Sequence, residues 1–139
     1  MSSSSPLPCR VLVVDDEPML VRLMTKSLKD AGYDVTPFGS GPAALEALHG
    51  AELYDVIVSD VRMPGVDGHT IARTALAMPH RPAVVLVTGY QDPALALPFL
   101  ATLNKPFAMN VLVQTVHELA STRPCNTEVP PPHPARRNS

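Results

Sequence analysis

Four short stretches carry the residues that could do chemistry. "VLVVDDEP" (11–18) ends an apolar run in two adjacent carboxylates, Asp15 and Asp16. "DVIVSDVRMPGVDG" (55–68) places Asp60 after apolar and small residues, just ahead of Pro64-Gly65. Thr88 closes "AVVLVT" (83–88), and Lys105 precedes Pro106 in "NKPF". Strand interiors disfavour aspartate, and a charge at the edge of a core is costly unless something compensates it. Three close carboxylates repel one another unless one is protonated or a cation neutralises them. Oxygen donors of this kind suit a hard ion such as Mg²⁺, which keeps waters and takes one or two carboxylates plus a phosphate. Lys105 could bring a point charge to a phosphoryl oxygen, and Thr88 a hydroxyl donor.

Each residue also has an ordinary reading. Asp16, before Glu17-Pro18, is a competent helix N-cap. Asp60 could simply open the turn at Met63-Pro64-Gly65. Lys105 alone is a surface lysine, and Thr88 alone a β-branched strand residue. Only their convergence on one edge would make a site, so the elements that carry them decide.

Short apolar runs alternate with helical patterns. "RVLVV" (10–14), residues 55–59 and "AVVLVT" (83–88) read as buried strands. "DVTPF" (34–38) is a weaker strand whose Pro37 removes a ladder donor, which assigns it to a sheet edge. A fifth strand is expected at 101–104. After strand one, Asp16 caps a helix with Pro18 in its first turn and Leu20, Leu23, Met24 and Leu28 on one side; Gly32 ends it. Further helices are expected at 42–48, 68–77 (Ile71, Ala72, Ala75, Met78) and 108–121 (Leu112, Val116, Leu119). Strands this apolar need cover on both faces, which predicts an α/β fold: a doubly wound five-stranded parallel sheet of order 2-1-3-4-5, a flavodoxin-like three-layer sandwich. Ligands of such sheets bind beyond the carboxyl ends of the strands. Asp15, Asp16, Asp60, Thr88 and Lys105 all fall there, and the joint reading is a site.

The remaining composition excludes more than it assigns. A chain of 139 residues with 45% hydrophobic and 17% charged content is sized for one globular domain. A formal charge of −2 gives no reason to expect nucleic acid or an anionic membrane as partner. No apolar run approaches the roughly 18 residues of a membrane span, and the start lacks the pattern of a secretory signal. A flexible Ser/Pro-rich arm (1–8), a folded body (9–122) and a Pro-rich disordered tail (123–139) are expected. Cys9 and Cys125 read as free cytosolic thiols, and the scattered histidines hold no metal spacing.

With those pieces in place, the chain resembles the receiver domain of two-component response regulators. The resemblance rests on "VLVVDDEP", "DVIVSDVRMPGVDG", "VVLVTGY" and "NKPF", in order, over about residues 9–122. It implies that Asp60 is the phosphoacceptor and that Asp16 and Asp60 bind Mg²⁺ directly, with Asp15 acting mainly through bound water. The Arg62 backbone carbonyl would be a further metal ligand. Thr88 would contact the phosphoryl group, Lys105 would pair with it, and Gly89 would leave it room. A strand would then fix the nucleophile rigidly, and catalysis would be positioning plus charge neutralisation. The implied donor is a sensor histidine kinase or a histidine phosphotransfer protein. No effector domain is expected to follow, so output would be docking to a downstream target, oligomerisation such as a homodimer, or onward phosphotransfer. The expected location is cytoplasmic, and the protein would not be an enzyme beyond its own phosphorylation and dephosphorylation.

Three rivals stand against this reading. "GSGPAA" (39–44) matches G-x-G-x-x-A with Asp60 nineteen residues past Gly41, but its strand is the least apolar, not a central one. A metal-dependent aspartyl phosphatase would need another acid/base group where Arg62 stands. A pseudo-receiver that only binds partners would not need all five residues. Two departures from the family pattern stand out: Thr102 occupies the position often held by an aromatic switch residue, and Pro98 interrupts the short stretch between Thr88 and Lys105.

Overall fold

Alternation with a period of two organises the molecule. In β1 (Arg10–Val14), Val11 and Val13 face one way while Leu12 and Val14 face the other, and all four are buried. β3 (Val56–Asp60) and β4 (Ala83–Thr88) are buried along their whole length. Such strands must be covered on both faces. The computed structural model describes residues 9–50, 52–80, 82–88 and 100–121. It contains a five-stranded parallel sheet in the order β2-β1-β3-β4-β5, as the patterning predicts. β2 (Asp34–Phe38) and β5 (Leu100–Asn104) form the edges.

One core lies under α1 (Pro18–Asp30) and α4 (Met109–Ser121), where Met24, Leu28, Leu112 and Val116 meet Val11, Val13, Val56, Val58, Val85 and Val87. The other lies under α2 (Gly41–Leu48) and α3 (Gly68–Leu76), where Ala44, Leu48, Ile71, Ala72 and Ala75 meet Leu12, Val14, Ile57, Val84 and Leu86. At roughly 1.5–3 kcal/mol for each large aliphatic side chain removed from water, these two layers set the geometry of the strand ends.

Three details differ from expectation. The N-cap of α1 is Glu17, not Asp16, and its side chain makes no capping bond. Asp16 is left exposed at the carboxylate cluster instead. Leu23 is half exposed, because the buried seam of α1 runs through Leu20, Met24 and Leu28 at intervals of four. Cys9, expected as a free thiol, is disulfide-bonded. Distance along the chain did not forbid this, since Cys9 shares a core cluster with Ala120 near the end of α4; Cys125, the only other cysteine, lies outside the described residues. The expected arm, tail and Pro98-interrupted segment, with Gly89, also lie outside them. Among the described residues no helix is long and apolar enough to cross a membrane.

Candidate functional site

The carboxyl edge of the sheet is pinned by hydrogen bonds that continue the parallel ladder one residue past the strands. Asp15 N–H donates to the Phe38 carbonyl (3.3 Å), Val61 N–H to the Val87 carbonyl (2.9 Å) and Lys105 N–H to the Thr88 carbonyl (2.7 Å). The bases of three loops are therefore fixed as firmly as the sheet itself. The Lys105–Pro106 peptide bond is cis.

β3 delivers Asp60, which is 6% exposed. Two glycines let the rest of the fold close around that strand end. A Cβ on Gly68 would lie 2.5 Å from the Asp60 carbonyl oxygen, so α3 can begin there only with glycine. A Cβ on Gly41 would collide with the Val66 carbonyl oxygen in the loop between β3 and α3. The glycine of "GSGPAA" thus serves helix packing against that loop, which disposes of the dinucleotide reading. Asp67 caps α3, its Oδ1 accepting from Thr70 N–H at 2.9 Å, and this bond holds its carboxyl below the usual range.

Asp15, Asp16 and Asp60 each offer a carboxylate oxygen within 4.8 Å of the others. Among the described residues they form the one acidic group with the spacing of a metal site. Asp15 is fully buried. Its Oδ1 accepts from Glu17 N–H at 2.9 Å, and its Oδ2 is buried without a hydrogen-bond partner. Burial, assisted by Asp60 and Asp16, raises its carboxyl to about 6, against the opposing Glu17 N–H and Lys105. Burial likewise raises Asp60, against the pull of Lys105. Lys105 Nζ stands 3.5 Å from Asp15 Oδ2 and 3.5 Å from Asp60 Oδ2. Burial lowers its affinity for a proton, but Asp15, Asp60 and Glu17 together more than offset that and raise it.

Three carboxylates against one ammonium leave a deficit that a divalent cation matches, and Asp15 Oδ2, which has the Lys105 ammonium at 3.5 Å but accepts no hydrogen bond, is a donor of the right kind. The residues fit Mg²⁺. Thr88 is buried at the end of β4, one step beyond the Asp60–Val87 register pair. Arg62 is exposed two residues past Asp60, where it lines a cleft of about 550 Å³ with Val61, Met63, Pro64, Asp67 and His69. Thr102 lies in β5 and is exposed. Sequence reasoning missed Glu17, whose Oε1 lies 3.4 Å from Lys105 Nζ. Its signal was visible only as the residue after the aspartate pair.

Residues 11–117 match the model of the response regulator receiver domain. The chain is 31% identical to the response regulator receiver protein CpdR of Brucella abortus, over 79% of this chain and 95% of that protein. It is 34% identical to the C4-dicarboxylate transport transcriptional regulatory protein DctD of Rhizobium meliloti, over 81% of this chain but only 25% of DctD. A response regulator receiver protein structure from Sinorhizobium medicae superposes with a TM-score of 0.75 at 31% identity, covering 82% of this chain and 95% of that one. Its fold, its converging carboxylates and these matches agree: the chain belongs to the response regulator receiver domain family.

Proposed function

We propose that this chain accepts a phosphoryl group on Asp60 from a phosphohistidine of a sensor histidine kinase or histidine phosphotransfer protein. The observation that carries the reading is a buried strand-end carboxylate, Asp60, 3.5 Å from the Lys105 ammonium and inside a trio of carboxylates. An Asp60 oxygen attacks phosphorus as the phosphorus–nitrogen bond breaks, and the bonding pair leaves on the donor imidazole. Asp15, Asp16, Asp60 and the Arg62 carbonyl would hold Mg²⁺, which supplies charge neutralisation when bound. Lys105 pairs with a phosphoryl oxygen and Thr88 donates its hydroxyl. The ladder bonds at 15, 61 and 105 keep these groups from reorganising during transfer.

Output passes to a downstream protein by docking, by self-association, or by onward phosphotransfer. The domain changes its own phosphorylation state and turns over no foreign substrate. A phosphorelay partner is supported by the match to a sensor kinase, CckA of Brucella abortus, at 37% identity over 78% of this chain and 12% of CckA. The test is labelling by acetyl phosphate and by a phosphorylated kinase. Wild type should gain one base-labile phosphoryl group in Mg²⁺ and none in EDTA, and Asp60→Asn should gain none. Equal labelling of Asp60→Asn would overturn the assignment.

A further inference from the structure

Lys105 has three anionic neighbours, and one of them stands outside the carboxylate trio. Glu17 Oε1 lies 3.4 Å from Nζ, as close as Asp15 and Asp60 at 3.5 Å each. Glu17 is anchored rather than casually placed. Its N–H is bound to Asp15 Oδ1, and Pro18 at the first turn of α1 keeps its backbone extended (φ −97, ψ 109). Its carboxylate makes no capping bond to α1, although it occupies the N-cap position. The side chain is used on Lys105 instead.

We infer that Glu17 is a positioning residue that competes with the phosphoryl group for Lys105, and so sets how readily the site is phosphorylated. This rests on the phosphoacceptor reading above. With a cation among Asp15, Asp16 and Asp60, the pull of those carboxylates on the ammonium is offset. Glu17 then remains the anion that holds Lys105, and a phosphoryl oxygen on Asp60 must draw the ammonium away from it. Before the cation binds, the same pairing draws Lys105 off the trio and eases cation entry. Glu17 thus favours the cation and opposes the phosphoryl group. The pair is partly exposed, 25% at Lys105 and 65% at Glu17, so each effect should be roughly two- to fivefold, the scale of a solvent-accessible ion pair.

Two variants of the full chain, Glu17→Gln and Glu17→Asp, separate pairing from a diffuse field. Asp keeps the charge but withdraws the carboxylate by one methylene, and it caps helices well, which turns it toward α1. Calorimetric titration gives Mg²⁺ affinity alone, then beryllofluoride affinity at saturating Mg²⁺. Both variants should bind Mg²⁺ roughly two- to fivefold more weakly and beryllofluoride roughly two- to fivefold more tightly. Glu17→Asp matching wild type would overturn the inference in favour of a through-space field. Glu17→Gln binding beryllofluoride no more tightly would overturn it outright. Failure of wild type itself to bind beryllofluoride would overturn the phosphoacceptor reading, and this inference with it.

Discussion

Replacing Asp15 with asparagine should make the metal-free domain more stable. The Asp15 side chain is fully buried, and its carboxyl is raised from 3.8 to about 6, by burial first and by Asp60 and Asp16 after that. A carboxyl whose folded pKa lies above its unfolded one favours the native state when protonated. Its contribution is fully present below 3.8 and is lost as pH rises through about 6. At about 1.4 kcal/mol for each tenfold change in proton affinity, the loss by neutral pH is on the order of 3 kcal/mol. The amide of Asp15→Asn would keep an oxygen for the Glu17 N–H but would give up the 3.5 Å approach to Lys105. We expect a net gain of about 1–2 kcal/mol, or a Tm higher by roughly 4 °C per kcal/mol in a domain of this size. Thermal unfolding in EDTA across the acid-to-neutral range measures it directly. The margin over wild type should shrink as pH falls through about 6 and vanish below 3.8. Saturating Mg²⁺ should narrow or reverse the ranking, because ligand linkage stabilises wild type more. An Asp15→Asn variant no more stable than wild type near neutral pH, or a margin that ignores pH, would refute the reasoning.

Mg²⁺ affinity of wild type, followed by titration, should fall as pH drops through about 6, because the cation then competes with a proton on Asp15. Lys105→Gln should weaken beryllofluoride binding roughly tenfold, the scale of a lost charge-assisted hydrogen bond, while strengthening Mg²⁺ binding measured alone. Gly68→Ala should cost about 1–3 kcal/mol in denaturant unfolding and depress labelling, since its Cβ would press on the Asp60 carbonyl at 2.5 Å. Asp67→Ala should cost about 1 kcal/mol near neutral pH through the lost cap of α3. That gap should close in acid, as Asp67 protonates through its lowered pKa.

The sheet was legible because its signals are local. β1, β3 and β4 announce themselves as unbroken apolar runs, and Pro37 marks β2 as an edge. The position of Asp60 at the end of a strand, combined with the rule that parallel sheets bind at their carboxyl ends, was enough to gather residues 15, 60, 88 and 105. What escaped was tertiary. The letters of "GSGPAA" suit a phosphate loop, and only the approach of α2 to Val66 explains Gly41. Asp16 is the better cap by sequence, yet the N-cap is Glu17, whose side chain makes no capping bond, while Asp16 stands with the carboxylate cluster. The contact of Glu17 with Lys105 spans 88 positions and depends on β1 and β5 lying on opposite sides of β3. The Cys9 disulfide had no local pattern at all.

The order of the sheet also governs when the site comes into being. β1 and β5 are separated by β3 and β4, so Asp15 and Lys105 meet only after every intervening strand has paired. Such non-local parallel pairing is the slow part of folding. Until β5 docks, a nascent or partly unfolded chain holds its acidic residues without their lysine. The carboxylate and lysine constellation should therefore be completed in one step, when β5 joins the sheet.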